Sequence, residues 1–163
     1  RFFKFSKKII TTKFNSFKPL PHRQEFVRKI NNITFINDSK ATNFESAKFS
    51  LKLFDNIYWI AGGILKKNDS INFNDELKKK IFKTYIIGKN TSLFQSIIKN
   101  KIKYLFCKTK GKAVFQAYKD AQHCKSKNNV ILLSPAAASF DQFKNFEHRG
   151  NLFKSIIKNI KNV

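Results

Sequence analysis

Strands alternating with helices along most of the chain predict an α/β protein with a Rossmann-like, mostly parallel sheet and helices on both faces. Three observations carry this. Apolar runs such as Ile57–Ala61 and residues 130–133 lack the polar alternation of a half-exposed strand, and suit a sheet buried on both sides. Between the runs, apolar residues recur at helical spacing, as in Phe44, Ala47, Leu51 and Phe54. The runs also end at breakers: Gly62-Gly63, Gly88, and Pro135 after residue 133.

In chain order, residues 1–18 hold no acid and mix Phe, Ile, Lys and Arg. They are expected to be the tail of a preceding domain, with a basic targeting segment as the alternative. Pro19 and Pro21 make a stiff linker around Leu20. Residues 24–30 and 33–36 predict two strands turning at Asn31-Asn32. The loop Asn37-Asp38-Ser39-Lys40-Ala41-Thr42-Asn43 follows, and Thr42 with Glu45 has the T-x-x-E spacing of a capping box. Beyond the Ile57–Ala61 strand, residues 74–82 are expected to be helical. A strand over 84–87, a helix over 91–99, a strand over 104–107 and a helix over 112–124 come next. After the strand at 130–133, proline ends ladder pairing and three alanines form a loop of small residues. Ser139-Phe140-Asp141-Gln142 again has capping-box form, so a helix is expected to start there. The last helix carries Phe146, Phe153, Ile156, Ile157 and Ile160, and is expected to break at Gly150.

At 163 residues the chain is long enough for one domain with a core. Its hydrophobic share of 42% excludes a disordered composition. No apolar run reaches the length of a membrane span. The net charge of +23 invites a nucleic-acid-binding reading. Against it, lysines occur in every segment, no nucleic-acid-binding motif appears, and heavy use of Lys, Asn, Ile and Phe is what AT-rich coding produces. Cys107 and Cys124 have no metal-ligand spacing and make no disulfide framework, which fits a reducing, cytoplasmic setting. With Arg1 rather than Met at its start, the chain is expected to be a fragment.

The right-handed crossover rule places successive strand ends along one edge. Three corners are expected to gather there: one with Lys40 and Thr42, one with Gly62-Gly63 and Lys66, and one with Ser139. Helix starts offer unpaired N–H groups and the lysines offer charge, so this edge suits a small molecule with more than one anionic group. Each residue also has an ordinary reading. Thr42 and Ser139 suffice as helix caps, Gly-Gly after a strand is a common turn, and Arg23 is one basic residue among many. No G-x-x-x-x-G-K-[ST] P-loop is present, nor a triad or a metal cage. The residues alone lead to a small-anion-binding α/β domain.

Four blocks carry a resemblance: Leu20-Pro21-His22-Arg23, the Asn37 to Asn43 loop, Gly62-Gly63-x-x-Lys66-x-x-Asp69, and the run from Ser134 to Gly150. In order and approximate spacing, over about residues 19 to 155, they resemble the C-terminal domain of the Mur ligase family, in its D-glutamate-adding branch. The resemblance implies an ATP- and Mg²⁺-dependent ligase joining D-glutamate to UDP-N-acetylmuramoyl-L-alanine for peptidoglycan synthesis through an acyl phosphate. It implies that Thr42, Lys66, Ser139 and the backbone at Phe146 bind D-glutamate. His22, Arg23, Asp38 and Lys40 would face the nucleotide, no catalytic residue or metal ligand would lie in this segment, and ATP and Mg²⁺ would be held mainly by an upstream domain. Residues 1–18 would then be the tail of a central ATPase domain and 19–163 the D-glutamate-binding domain of a cytoplasmic, monomeric enzyme. Ala137 stands where the family often has Cys, and Ser70 where an aromatic is common. The alternatives are a basic nucleic-acid-binding module or an unrelated nucleotide-binding α/β domain.

Overall fold

The computed structural model describes residues 6, 9, 11–12, 19–65, 71–89 and 91–160. Lys66, Asp69 and Ser70, and nearly all of the expected tail at 1–18, lie outside them. The strands are β1 (Glu25–Ile30), β2 (Ile33–Asn37), β3 (Ile57–Ala61), β4 (Ile81–Ile87), β5 (Tyr104–Lys108) and β6 (Asn129–Leu133). The helices are α1 (Phe44–Leu53), α2 (Asp75–Lys80), α3 (Ser92–Ile98), α4 (Lys110–Gln122) and α5 (Phe146–Lys158). One six-stranded sheet runs β1-β2-β6-β3-β4-β5. Of these strands, among the described residues, only β1 and β2 pair antiparallel, with Ile30 opposite Ile33 across the Asn31-Asn32 turn. Asn31 takes the left-handed conformation there at φ 51°, which asparagine tolerates.

The central strands β3 and β6 are buried at every position, as their unbroken apolar runs require. Alternation then sends successive residues to opposite layers. Ile57, Trp59 and Ala61 face one layer with Phe44, Ala47 and Leu51 of α1, Leu77 of α2 and Phe94 and Ile98 of α3. Tyr58 and Ile60 face the other, with Ala113, Val114 and Ala117 of α4 and Phe153 and Ile157 of α5. The sheet is therefore covered on both faces. Among the described residues, no helix is long and apolar enough to cross a membrane.

Several boundaries differ from the sequence expectation. The helix expected over 74–82 stops at Lys80, because Ile81 and Lys83 are drawn into the ladder opposite Ile57 and Tyr58. α4 begins at Lys110 rather than 112, since Thr109 caps it by accepting from the Lys112 N–H. The box at Thr42 is not used: Asn43 caps α1 and accepts from the Ser46 N–H at 2.8 Å. Ser139 starts only a turn, its carbonyl accepting from the N–H groups of Gln142 and Phe143. The helix itself waits for Asn145, whose side chain accepts from the His148 N–H. Gly150 does not break α5. A Cβ there would collide with the His22 ring, so glycine marks a close approach.

Candidate functional site

The loop after β6 joins the strand ends. Going along it, the Leu133 carbonyl accepts from the Asp38 N–H at 2.7 Å and the Pro135 carbonyl from the Gly62 N–H at 2.8 Å. Ala136 N–H then donates to the Ala41 carbonyl at 3.0 Å. Ala138 and Ile64 exchange both backbone bonds at 2.9 Å. The corner after β4 is tied in as well, since Lys89 N–H donates to Asp141 at 3.0 Å. Small residues permit this closeness. A Cβ on Gly62 would strike the Ile87 carbonyl, and one on Gly63 the Ala138 carbonyl. Thr42 and Ser139 each follow a residue in these bonds, so backbone geometry brings their corners to one edge.

Thr42 is half-buried, and Ser139 is 2% exposed. Phe146 is the first residue of α5, so its N–H has no partner within the helix, while its carbonyl accepts from the Ser39 hydroxyl at 2.8 Å. Its ring lies under the Lys40 ammonium, 3.7 Å from Nζ to the ring centre. Arg23 is exposed, and with Lys40 it lines two adjoining hollows. One, of about 390 Å³, also touches Asp38 and Ser46. The other, of about 470 Å³, touches His22, Phe146 and Asn151. A third hollow of about 400 Å³ lies by Gly63, Lys89 and Asp141.

His22 and Asp38 are bound inward. Asp38 Oδ2 accepts from the hydroxyls of Ser50 at 2.6 Å and Ser134 at 2.8 Å, and Oδ1 from the Gln24 N–H at 3.3 Å. Burial raises the Asp38 pKa, with these donors acting against it. The His22 ring meets the Asn37 amide at 2.9 Å, and burial, then the charge of Lys154, lowers its pKa. Lys40 N–H donates to the His22 carbonyl at 3.0 Å, linking the linker to the first corner.

Sequence reasoning missed the residue that binds the edge together. Arg149 is fully buried. Its guanidinium donates to the Ser39 hydroxyl at 3.0 Å, the Ser39 carbonyl at 2.9 Å and the Ala137 carbonyl at 3.0 Å. The available signal was its place three residues after Phe146, one turn along the same helix face. Ala137, fully buried, serves through its carbonyl and its smallness beside Gly63.

Among the described residues, no group of three His, Cys, Asp or Glu side chains could hold a metal ion. Arg23 and Lys40 fit a phosphate-bearing nucleotide as charged donors at the rim of a hollow.

The fold is that of a mostly parallel α/β domain, an architecture seen in two known structures. A bifunctional folylpolyglutamate synthase/dihydrofolate synthase from Yersinia pestis aligns with a TM-score of 0.53 at 13% identity, over 95% of this chain and 35% of that one. A murein peptide ligase from Psychrobacter arcticus aligns at 0.50 and 12% identity, over 93% and 33%. In sequence, the chain is similar to one segment of the UDP-N-acetylmuramoylalanine–D-glutamate ligases. It is 45% identical to that of Rickettsia felis over 156 residues, 94% of this chain and 34% of the relative. The Rhodospirillum rubrum enzyme is 40% identical over 153 residues, covering 94% and 32%. That of Agrobacterium fabrum is 44% identical over 148 residues, covering 91% and 31%. The chain thus spans about a third of the length of these curated relatives. No protein-family model matches it.

Proposed function

We propose that this chain is the amino-acid-binding segment of an ATP-dependent ligase that joins D-glutamate to UDP-N-acetylmuramoyl-L-alanine in the cytoplasm, as a monomer. Residues 19–163 form the D-glutamate-binding domain, and residues 1–18 are the tail of a preceding ATPase domain. The observation that carries this is the loop after β6, hydrogen-bonded at once to the corners beside Thr42 and after Gly63. It draws the backbone beside Thr42 and Ser139 to one edge of the sheet, in a chain similar to the ligases just named.

In this reading Thr42, Lys66, Ser139 and the Phe146 N–H hold the two carboxylates of D-glutamate and leave its amine facing the neighbouring domain. Arg23 and Lys40 meet the nucleotide phosphates. His22 and Asp38 stand behind them and fix the loop that carries Lys40. Mg²⁺ would be bound by the preceding domain, where it would offset phosphate charge. The amine, once deprotonated, attacks a carboxylate activated as its acyl phosphate, forming the amide and releasing phosphate. This segment's part is to orient that amine.

Lys66 tests the assignment in the complete ligase. A charge-assisted hydrogen bond to a carboxylate contributes about 1.5–3 kcal/mol, so Lys66→Ala should raise the KM for D-glutamate about ten- to a hundredfold. Arginine should rescue poorly, its planar fork being no substitute for a compact ammonium. An unchanged D-glutamate KM, or an equal rise in the KM for ATP, would remove this corner from the amino-acid site.

A further inference from the structure

Lys110 opens α4 and is only 2% exposed. Its Nζ donates to the Arg149 carbonyl at 2.5 Å and lies 4.4 Å from the centre of the Phe143 ring. Among the described residues no carboxylate pairs with it, so an ammonium is buried without a counter-charge, an arrangement with a real solvation cost. Both of its contacts belong to the segment that carries the proposed anchors. Phe143 sits between Ser139 and Phe146, and its N–H donates to the Ser139 carbonyl at 3.0 Å. Arg149 lies one turn beyond Phe146 and grips Ser39 and Ala137. Next to Phe143, the Gln142 side-chain amide donates to the Lys108 carbonyl at 2.8 Å, fastening the same turn to the end of β5.

We infer that Lys110 is a positioning residue for the amino-acid corner, its ammonium holding the turn from Ser139 to Phe146 against α5 and lending positive potential to arriving carboxylates. This rests on the reading under Proposed function. Burial, then the charge of Arg149 from α5, brings the Lys110 pKa down to about 7. Asp141, from the loop after β6, bears on Arg149 and raises that group's pKa against its burial. Toward the other end of α4, Asp120 pairs with Lys83 and Tyr85 of β4, with Tyr58 of β3 and Cys107 of β5 close enough to feel it. A carboxylate arriving at the corner favours the charged form of Lys110, so ligand binding and protonation are linked. Amino-acid binding is strongest with Lys110 protonated and weakens as pH rises through about 7.

The experiment measures kcat and the KM values for D-glutamate and ATP from pH 6 to 9 in the complete ligase, with Lys110→Met and Lys110→Arg beside wild type. Methionine keeps length and burial without charge, and arginine keeps charge at every pH. The wild-type KM for D-glutamate should rise about three- to tenfold across the range. Lys110→Met should show the high value throughout, and Lys110→Arg a lower value with a flattened profile, while the KM for ATP moves little. A Lys110→Met enzyme that keeps the wild-type profile overturns the inference. Should that variant fail to fold, Lys110→Arg decides, and a profile as steep as wild type overturns it. If wild type shows no saturable use of D-glutamate, the functional reading fails and this inference falls with it. A normal D-glutamate dependence with an unmoved profile sinks the Lys110 inference alone.

Discussion

Arg149 and Ser39, 110 positions apart, meet twice: the guanidinium donates to the serine hydroxyl and, 2.9 Å away, to its carbonyl. A third bond, to the Ala137 carbonyl, makes the side chain a brace between α5 and two corners. Lysine has the charge but lacks the planar fork needed to reach three acceptors. Arg149→Lys should therefore cost about 2–4 kcal/mol of unfolding free energy and raise the D-glutamate KM in the complete ligase. Denaturant titration checks the first and initial-rate kinetics the second. A stable variant with an unaltered KM would show that the brace is dispensable.

Gly150 and His22 give a second test. At a helix interior, Gly→Ala ordinarily stabilises by about 1 kcal/mol. Here the new methyl would collide with a buried imidazole, so Gly150→Ala should destabilise by about 1–3 kcal/mol instead. Replacing His22 by Ala as well removes the ring and leaves the Asn37 amide nitrogen at 3.1 Å as the nearest neighbour, so the alanine at 150 should cost much less in the double variant than alone. A double-mutant cycle without coupling would refute the close approach.

These two residues also mark what the sequence could convey. The β1–β2 turn and the buried runs of β3 and β6 were legible, because apolar runs and paired asparagines have direct local causes. The meeting of the backbone beside Thr42, at Gly62-Gly63 and beside Ser139 was legible from the handedness of crossovers, while Lys66 lies outside the described residues. The end of α2 was not, since Ile81 and Lys83 are claimed by β3, a partner distant in sequence. Gly150 looked like a helix breaker because its reason is a ring 128 positions away. Arg149 and Lys110 were hidden by composition: in a chain with 33 lysines and arginines, burial of two of them is visible only in three dimensions.

Asp38 makes stability depend on pH. Its folded pKa is raised, burial being the largest cause. Such an acid contributes stability that is present below its unfolded pKa of about 3.9 and is lost as pH rises through the folded value. Asp38→Asn does not titrate, yet its amide can still bond Ser50 and Ser134. The variant should therefore gain on wild type as pH rises from about 4 toward neutrality. Urea midpoints across that range, compared at equal slopes, measure it. A constant difference would mean that the carboxyl pays no penalty for ionising inside the fold.

The net charge of +23 yields a separate expectation. If it reflects composition rather than a nucleic-acid site, this chain should bind DNA weakly, without sequence preference, and ever less as salt is added. Fluorescence anisotropy with labelled duplexes of unrelated sequence reads this directly. A sequence-selective complex that persists at physiological salt would favour the nucleic-acid-binding alternative over the ligase segment.

Thr42 can be a helix cap or a ligand for the amino acid, and two substitutions tell these apart. Thr42 and Asn43 are neighbours before α1, and either could have capped it. The Asn43 side chain takes the Ser46 N–H, leaving Thr42 half-buried at the gathered edge without a capping role. Loss of an N-cap costs about 1 kcal/mol, so Asn43→Ala should lower stability by that amount and change D-glutamate binding little. Thr42→Val keeps shape and branching, loses only the hydroxyl, and should leave stability within about 0.5 kcal/mol. In the complete ligase it should nevertheless raise the D-glutamate KM about tenfold, a loss on the scale of one charge-assisted hydrogen bond. The KM for ATP should stay close to wild type. Unfolding midpoints and the two KM values together decide the matter. Thr42→Val destabilised like Asn43→Ala, with an unchanged D-glutamate KM, would return Thr42 to the structural role that its spacing from Glu45 first suggested.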